Sequence, residues 1–316
     1  MTTTKRPAWY KPDRGLGFRM LVTMFLLGAV YIIFGAVMWR IGYGILFIPL
    51  AIIIAFVQLF FADKITLSSM RAHEVTDAQA PQLHDMVGRL AAQADLPKPK
   101  IYVIDSSVPN AFATGRDKNH AVLAVTSGIM NQLEGPELES VVAHELTHII
   151  NRDMLVMTIA AFFSMVLSLM MHNLLWMGMF GGMGGYGGRR GGRDGNAGAI
   201  ILFIMLVTAI TYFISFLLVR MLSRYRELAA DRGSALITGA PQNLASALMK
   251  IDSTMQSQRI PERDFRQAQA INALAIVPAL RRDSMATLFS THPSTEERVA
   301  RLTAMQRYME SHGQAS

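Results

Sequence analysis

Four apolar runs decide most of what this chain can become. They cover residues 18–39, 43–61, 154–177 and 199–219, and none contains an aspartate or a glutamate. A membrane-spanning helix needs about 20 mostly apolar residues, so each run is long enough. One such run could be a buried core helix, but four of this length without an acid argue for a bilayer. Pro49 in the second run is compatible, because neighbouring helices can satisfy the carbonyl that a proline frees. Composition agrees: 51% of residues are hydrophobic and 17% charged, against about a quarter charged in soluble domains. The first run is too long for a secretion signal, and the second follows at once, so the pair reads as a retained hairpin. His172 is the one ionisable group in the third run. It lies near the end of that run, where an interfacial position is expected.

Charge orients the runs. Lys5, Arg6, Lys11, Arg14 and Arg19 precede or open the first, whereas the turn at 40–42 carries only Arg40. The positive-inside rule then puts the N-terminus in the cytoplasm and that turn outside. The expected organisation is a cytoplasmic tail (1–17), a membrane hairpin (18–62), a cytoplasmic part (63–153), a second hairpin (154–222) and a second cytoplasmic part (223–316). The tip of the second hairpin, 178–198, is "GMFGGMGGYGGRRGGRDGNAG", a flexible loop by composition. Its Arg189, Arg190 and Arg193 argue against an external location, which leaves a re-entrant hairpin open. The fold class expected is a mainly α integral membrane protein with about four transmembrane helices and a cytoplasmic domain. The net charge of +7 is spread along the chain rather than clustered with aromatics on a polar domain, so nucleic acid is not an expected partner. There is no cysteine. Disulfides, thiol nucleophiles and thiolate metal ligands are excluded, and any metal site must use His, Asp or Glu.

The chemistry sits where the soluble part meets the third run, in "AHELTHIINRD" at 143–153. On a helix, residues four apart share a face, so His144 and His148 would aim two imidazoles at one point, as zinc requires. Glu145, one step round, would reach a water rather than the metal itself. Pro136, Glu137 and Glu139 upstream suit a helix start. Two exposed histidines on an amphipathic helix remain the alternative until a third ligand is found. Catalytic zinc commonly takes three protein ligands and keeps one position open. After the fourth run, "SRYRELAADRGSA" offers Glu227 and Asp231, four apart on one face, with Ala229 and Ala230 leaving room for close packing. Glu227 would complete a His–His–Glu set, and Asp231 would orient a ligand histidine from behind. Surface acids in salt bridges with Arg224, Arg226 and Arg232 are the competing reading. The two crossings between His148 and Glu227 bring both to the same side of the membrane.

Together, "AHELTHIINRD", "SRYRELAADRGSA" and "FSTHPSTEERVARL" resemble the HtpX family of membrane-bound zinc metalloproteases, gluzincin-type peptidases related to the CAAX prenyl proteases. The resemblance covers nearly the whole chain. It implies one zinc ion per chain bound by His144, His148 and Glu227, with Glu145 as catalytic base. It implies a gluzincin-like α+β protease domain with its active site facing the cytoplasm of a bacterial inner membrane. It also implies a role in quality control, with misfolded membrane proteins as substrates and the lipid bilayer as the other partner. The Gly/Arg-rich tip and the Arg-rich stretch at 259–282 depart from the family pattern and bear on substrate access. The rival class is a non-enzymatic membrane protein, either a zinc-stabilised scaffold or a transporter. A transporter would carry ionisable or broken positions inside its spans, and a structural zinc site would be closed by four protein ligands.

Two further stretches gain meaning beside that resemblance. "VPNAFATG" at 108–115, with "IYVI" and "HAVLAVT", suggests a small antiparallel sheet whose edge could pair with an extended substrate. The resemblance supports a substrate role for Asn110 and Ala111. His292 precedes a helix with Ser294 and Glu297 as a capping box and Val299, Leu302 and Met305 at core spacing. It is a candidate hydrogen-bond donor to the oxyanion. Arg298, one turn into that helix, is a weaker candidate for the same role, and a helix-surface salt bridge is its more ordinary use. Further helices are expected at 77–94 and 241–256, the latter preceded by a Gly239 stop.

Overall fold

The computed structural model describes residues 14–40, 44–158, 195–257 and 292–313, together with 162, 165–168 and 172. Most of the third apolar run, the tip from 178 to 194 and the Arg-rich stretch at 259–282 lie outside the described residues. The chain divides into two units. One contains 60–156 and 223–316 with the N-terminal residues 1–20, and the other contains 21–59 and 157–222.

The second unit is built from the apolar runs. Helix α1 (Arg14–Arg40) contributes Leu27, Tyr31, Phe34 and Met38, one helical stripe, to a buried cluster with Leu167 and Ile204. Outward-facing residues are as apolar as the interior: Phe25, Ile32, Ile33, Phe203, Leu206 and Phe213 are all exposed. Exposed apolar surface on this scale is what lipid tails cover. Three helices among the described residues are long and apolar enough to cross a membrane: Gly17–Arg40, Ile52–Ser69 and Leu202–Thr238. The second belongs to α2 (Gly44–Ser69) and the third to α6 (Gly195–Thr238). Helix α6 carries the fourth run straight into the Glu227 segment without a break. No glycine or proline interrupts it between Ala199 and Asp231.

The first unit is organised round a four-stranded sheet in the order β1-β2-β4-β3. Its strands are β1 (His73–Glu74), β2 (Lys100–Ile104), β3 (Ala111–Thr114) and β4 (Val122–Thr126). The sheet is mixed, not antiparallel: β2 and β4 run parallel, while β1–β2 and β3–β4 are antiparallel. The chain leaves β2, passes the place later filled by β4 and returns on its far side. That crossing is pinned where Thr126 N–H donates to Asn110 O (2.9 Å) and Asn110 N–H to Thr126 Oγ1 (2.9 Å). Strand β4 is buried on both faces, hence its unbroken "VLAV". Leu123 and Val125 join the main core, and Val122 and Ala124 pack with Leu67 and Met70 from the end of α2.

Helix α5 (Gly135–Ile150) runs through the main core, and its stretch from Ser140 to Ile149 is wholly buried. Glu137 accepts from the Glu134 N–H (3.0 Å) at its start and meets Ser246 (2.6 Å) and Lys250 (2.8 Å) on α7 (Pro241–Gln256). Helix α3 is tied to α5 by the forked Arg89–Glu139 pair, at 2.8 and 3.0 Å. It spans Pro81–Gln93 and not 77–94. Residues 76–80 form a turn that Thr76 closes onto Gln79, and Pro81 starts the helix. Helix α8 (Thr295–Gly313) begins where Ser294 Oγ accepts from the Glu297 N–H (3.1 Å), and Leu302 is fully buried.

Candidate metal centre and active site

Helix α5 brings His144, Glu145 and His148 into the core, with potential ligand atoms within 4.8 Å of one another. The two Nε2 atoms are 3.2 Å apart and the rings are perpendicular. From α6, Glu227 completes a triangle: Oε2 is 3.5 Å from His144 Nε2 and Oε1 is 3.6 Å from His148 Nε2. Close approach of the two helices makes this possible. A β-carbon on Gly233 would stand 2.9 Å from Thr147 Cβ, and Ser234 Oγ donates to Ser140 O at 2.6 Å. The sequence pointed to Ala229 and Ala230 for this packing; Ala230 is buried, but Gly233 is the point of contact.

The far side of each imidazole faces a carboxylate. Asp231 Oδ1 lies 3.1 Å from His144 Nδ1, and Asp153 Oδ2 lies 2.7 Å from His148 Nδ1. Carboxylates only accept, so each Nδ1 carries its proton and each Nε2 directs a lone pair inward. Two lone pairs and a carboxylate converging at 3.2–3.6 Å repel one another unless a proton or a metal ion sits between them. Among the described residues Glu227 Oε2 is buried with His144, His292 and Arg298 at 3.5–3.6 Å but no aligned hydrogen bond, so a metal bond would satisfy it. Ligand atoms of a tetrahedral zinc site, with bonds of about 2.0–2.1 Å, stand about 3.3 Å apart. The donor set therefore fits zinc in chemistry and in spacing.

Glu145 is buried and accepts from the Ala113 N–H, Oε2 at 2.9 Å. Burial pushes its carboxyl upward against the pull of His148, His144 and that N–H. Burial also works against charge on His144, but the Asp231 and Glu227 carboxylates outweigh it and raise the imidazole to about 9. Burial alone would raise Asp153; its hydrogen bond to His148 and the charge of Arg226 hold it below the usual carboxylate range.

Arg298 is not on the surface. It is 1% exposed, with Nε 2.9 Å from Asp231 Oδ2, Nη2 2.6 Å from Asp231 Oδ1 and Nη1 3.5 Å from Glu227 Oε2. An arginine among buried carboxylates is drawn inward despite its place on a polar helix. The competing reading of Glu227 and Asp231 as surface acids fails for the same reason: both are buried. Arg224 pairs instead with Glu297 and Arg226 with Asp153. His292 is buried, with Nδ1 3.6 Å from Glu227 Oε2. Ala111 opens the edge strand β3. Asn110 is 4% exposed, and its backbone N–H and C=O both bind Thr126. His172, in the membrane unit, is exposed. The roles of Asp153 and Ala113 went unread in the sequence. The one signal was an acid five residues after His148, just past the helix end.

Residues 77–306 match the model of peptidase family M48. The chain belongs to peptidase family M48, among the HtpX proteases. It is 49% identical to a protease HtpX homologue of Moorella thermoacetica, over 94% of this chain and 97% of that one. It is 50% identical to protease HtpX homologue 2 of Methanosarcina acetivorans, over 95% and 98% of the two chains. The crystal structure of S. mikatae Ste24p shares the fold, with a TM-score of 0.52 at 18% identity, covering 91% of this chain and 66% of that one. The protein is thus a membrane metalloprotease acting on protein substrates, and the non-enzymatic reading is not favoured.

Proposed function

We propose that the chain is a zinc endopeptidase holding one zinc ion through His144, His148 and Glu227. The observation that carries this is the convergence of two Nε2 lone pairs and the Glu227 carboxylate at 3.2–3.6 Å. Zinc bound there supplies a Lewis acid that acidifies water and polarises a carbonyl. Glu145 would take the proton from the water that attacks the scissile carbonyl, hold it on the buried carboxyl and deliver it to the leaving amine. The Ala113 N–H keeps Oε2 in place meanwhile. His292, close to Glu227, stabilises the developing oxyanion.

Substrate lies along β3. Antiparallel pairing turns alternate residues toward β4, and Asn110 faces β4, so Ala111 turns its backbone to the open edge for strand addition. The Asn110 amide lies at the start of that edge. The site faces the cytoplasm of a bacterial inner membrane, on the charge bias of the N-terminal segment. Soluble segments 63–153 and 223–316 form one protease domain. The substrates are misfolded membrane proteins, in keeping with a site built at the ends of membrane runs.

Glu145→Gln tests the reading. Proteolysis of an unfolded protein should fall by about 10²–10⁴-fold, the share general acid–base chemistry contributes, while the purified variant keeps its zinc. Loss of zinc at unchanged folding would make Glu145 a ligand and refute the assignment.

A further inference from the structure

We infer that Asp153 and Arg226 form a positioning device that aims His148 and ties it to the helix carrying Glu227. This rests on the zinc reading above. Helix α5 ends at Ile150, and the chain turns through Arg152, whose φ of 57° is left-handed. Side chains with a β-carbon adopt that conformation rarely and at a cost. The turn brings Asp153, five residues past His148, back beneath the imidazole.

Asp153 is 1% exposed. Its Oδ2 accepts a hydrogen bond from His148 Nδ1 at 2.7 Å, and its Oδ1 stands 3.0 Å from Arg226 Nε. That second contact is an ion pair rather than an aligned hydrogen bond. Arg226 is itself buried and immediately precedes Glu227. One carboxylate therefore fixes the tautomer and direction of one ligand. Through its arginine it also fixes where the helix bearing another ligand begins its last turns. A buried carboxylate held only for stability has no need of an imidazole, and Arg226 alone would neutralise it.

A metal-loaded imidazole loses about 10–100-fold in affinity when the acceptor behind it is removed. In full-length protein in detergent, zinc affinity by chelator competition should fall by about that factor in Asp153→Ala. In Asp153→Asn, which keeps an oxygen acceptor, it should fall by less. The visible spectrum of the cobalt(II)-substituted protein should shift in Asp153→Ala, because the ligand's direction changes. The melting temperature of the metal-free variants separates this from simple unfolding. Unchanged zinc affinity and cobalt spectrum in Asp153→Ala, with only a lower melting temperature, would overturn the inference and leave Asp153 structural. Failure of the wild-type chain to bind zinc would overturn the underlying metal reading instead.

Discussion

His144 and His148 sit one turn apart on the same helix, yet the protein holds them in different ways. His144 is backed by Asp231, on α6, which is gripped in turn by Arg298, on α8. Three segments far apart in sequence meet behind it. His148 is backed by Asp153, five residues on, with Arg226 behind that. Arg298 reaches beyond its aspartate to Glu227 (3.5 Å) and so neutralises two carboxylates, whereas Arg226 pairs with one. The same chemical pattern, imidazole–carboxylate–guanidinium, thus joins three distant segments on one side, and on the other joins a local turn to the single helix α6. Breaking the first should disturb the fold; breaking the second should disturb mainly the metal.

The largest effect expected follows from that asymmetry. Arg298→Gln leaves Asp231 and Glu227 buried without their cation, and removing one partner of a buried pair costs about 3–5 kcal/mol. Urea unfolding of the metal-free protease should show a loss of that order. Arg226→Gln should cost less, because Arg226 pairs with one carboxylate and Arg298 with two. Equal losses in the two variants would break the comparison.

A smaller effect sharpens it. In the metal-free protein His144 is raised from its ordinary 6.5 to about 9. A raised pKa means that the native state binds the proton more tightly than the unfolded chain does, which stabilises the fold wherever the imidazole is protonated. The contribution is complete below about pH 6.5 and fades as pH rises through 9. Melting temperature of the metal-free protein should therefore decline across that window, and Asp231→Asn should flatten the decline. A melting temperature that rises over the same range would show that the His144–Asp231 contact does not act as described.

How far the sequence revealed this site depended on where each residue's partner lies. His144 and His148 were legible because residues four apart on a helix share a face, and Glu145 because it stands one step round from His144. Glu227 and Asp231 were legible as a pair for the same reason, and both are buried at the site. The Pro241–Gln256 helix matched to the residue, with proline at its start and Gly239 in the left-handed region at φ 68° before it. Arg298 was misjudged because helix periodicity describes a surface and says nothing of a carboxylate arriving from another helix. The sheet was misjudged for a related reason. Alternation marks strands, but the parallel β2–β4 pair depends on a crossing that Asn110 and Thr126 hold from opposite ends of the segment. Gly233, unread in the sequence, lets α6 approach Thr147. Asp153 carried a faint mark, an acid beyond a helix end, that only the turn at Arg152 makes meaningful.

The central claim is that two imidazoles and Glu227 hold one zinc ion. Zinc content per chain, measured on purified wild-type protein and on Glu227→Ala after dialysis against the same buffered free zinc, tests it most directly. The account predicts one zinc per wild-type chain. It predicts a loss in Glu227→Ala greater than the roughly 10–100-fold drop in affinity that follows removal of a supporting carboxylate. Full zinc occupancy in Glu227→Ala, at wild-type affinity, would contradict it.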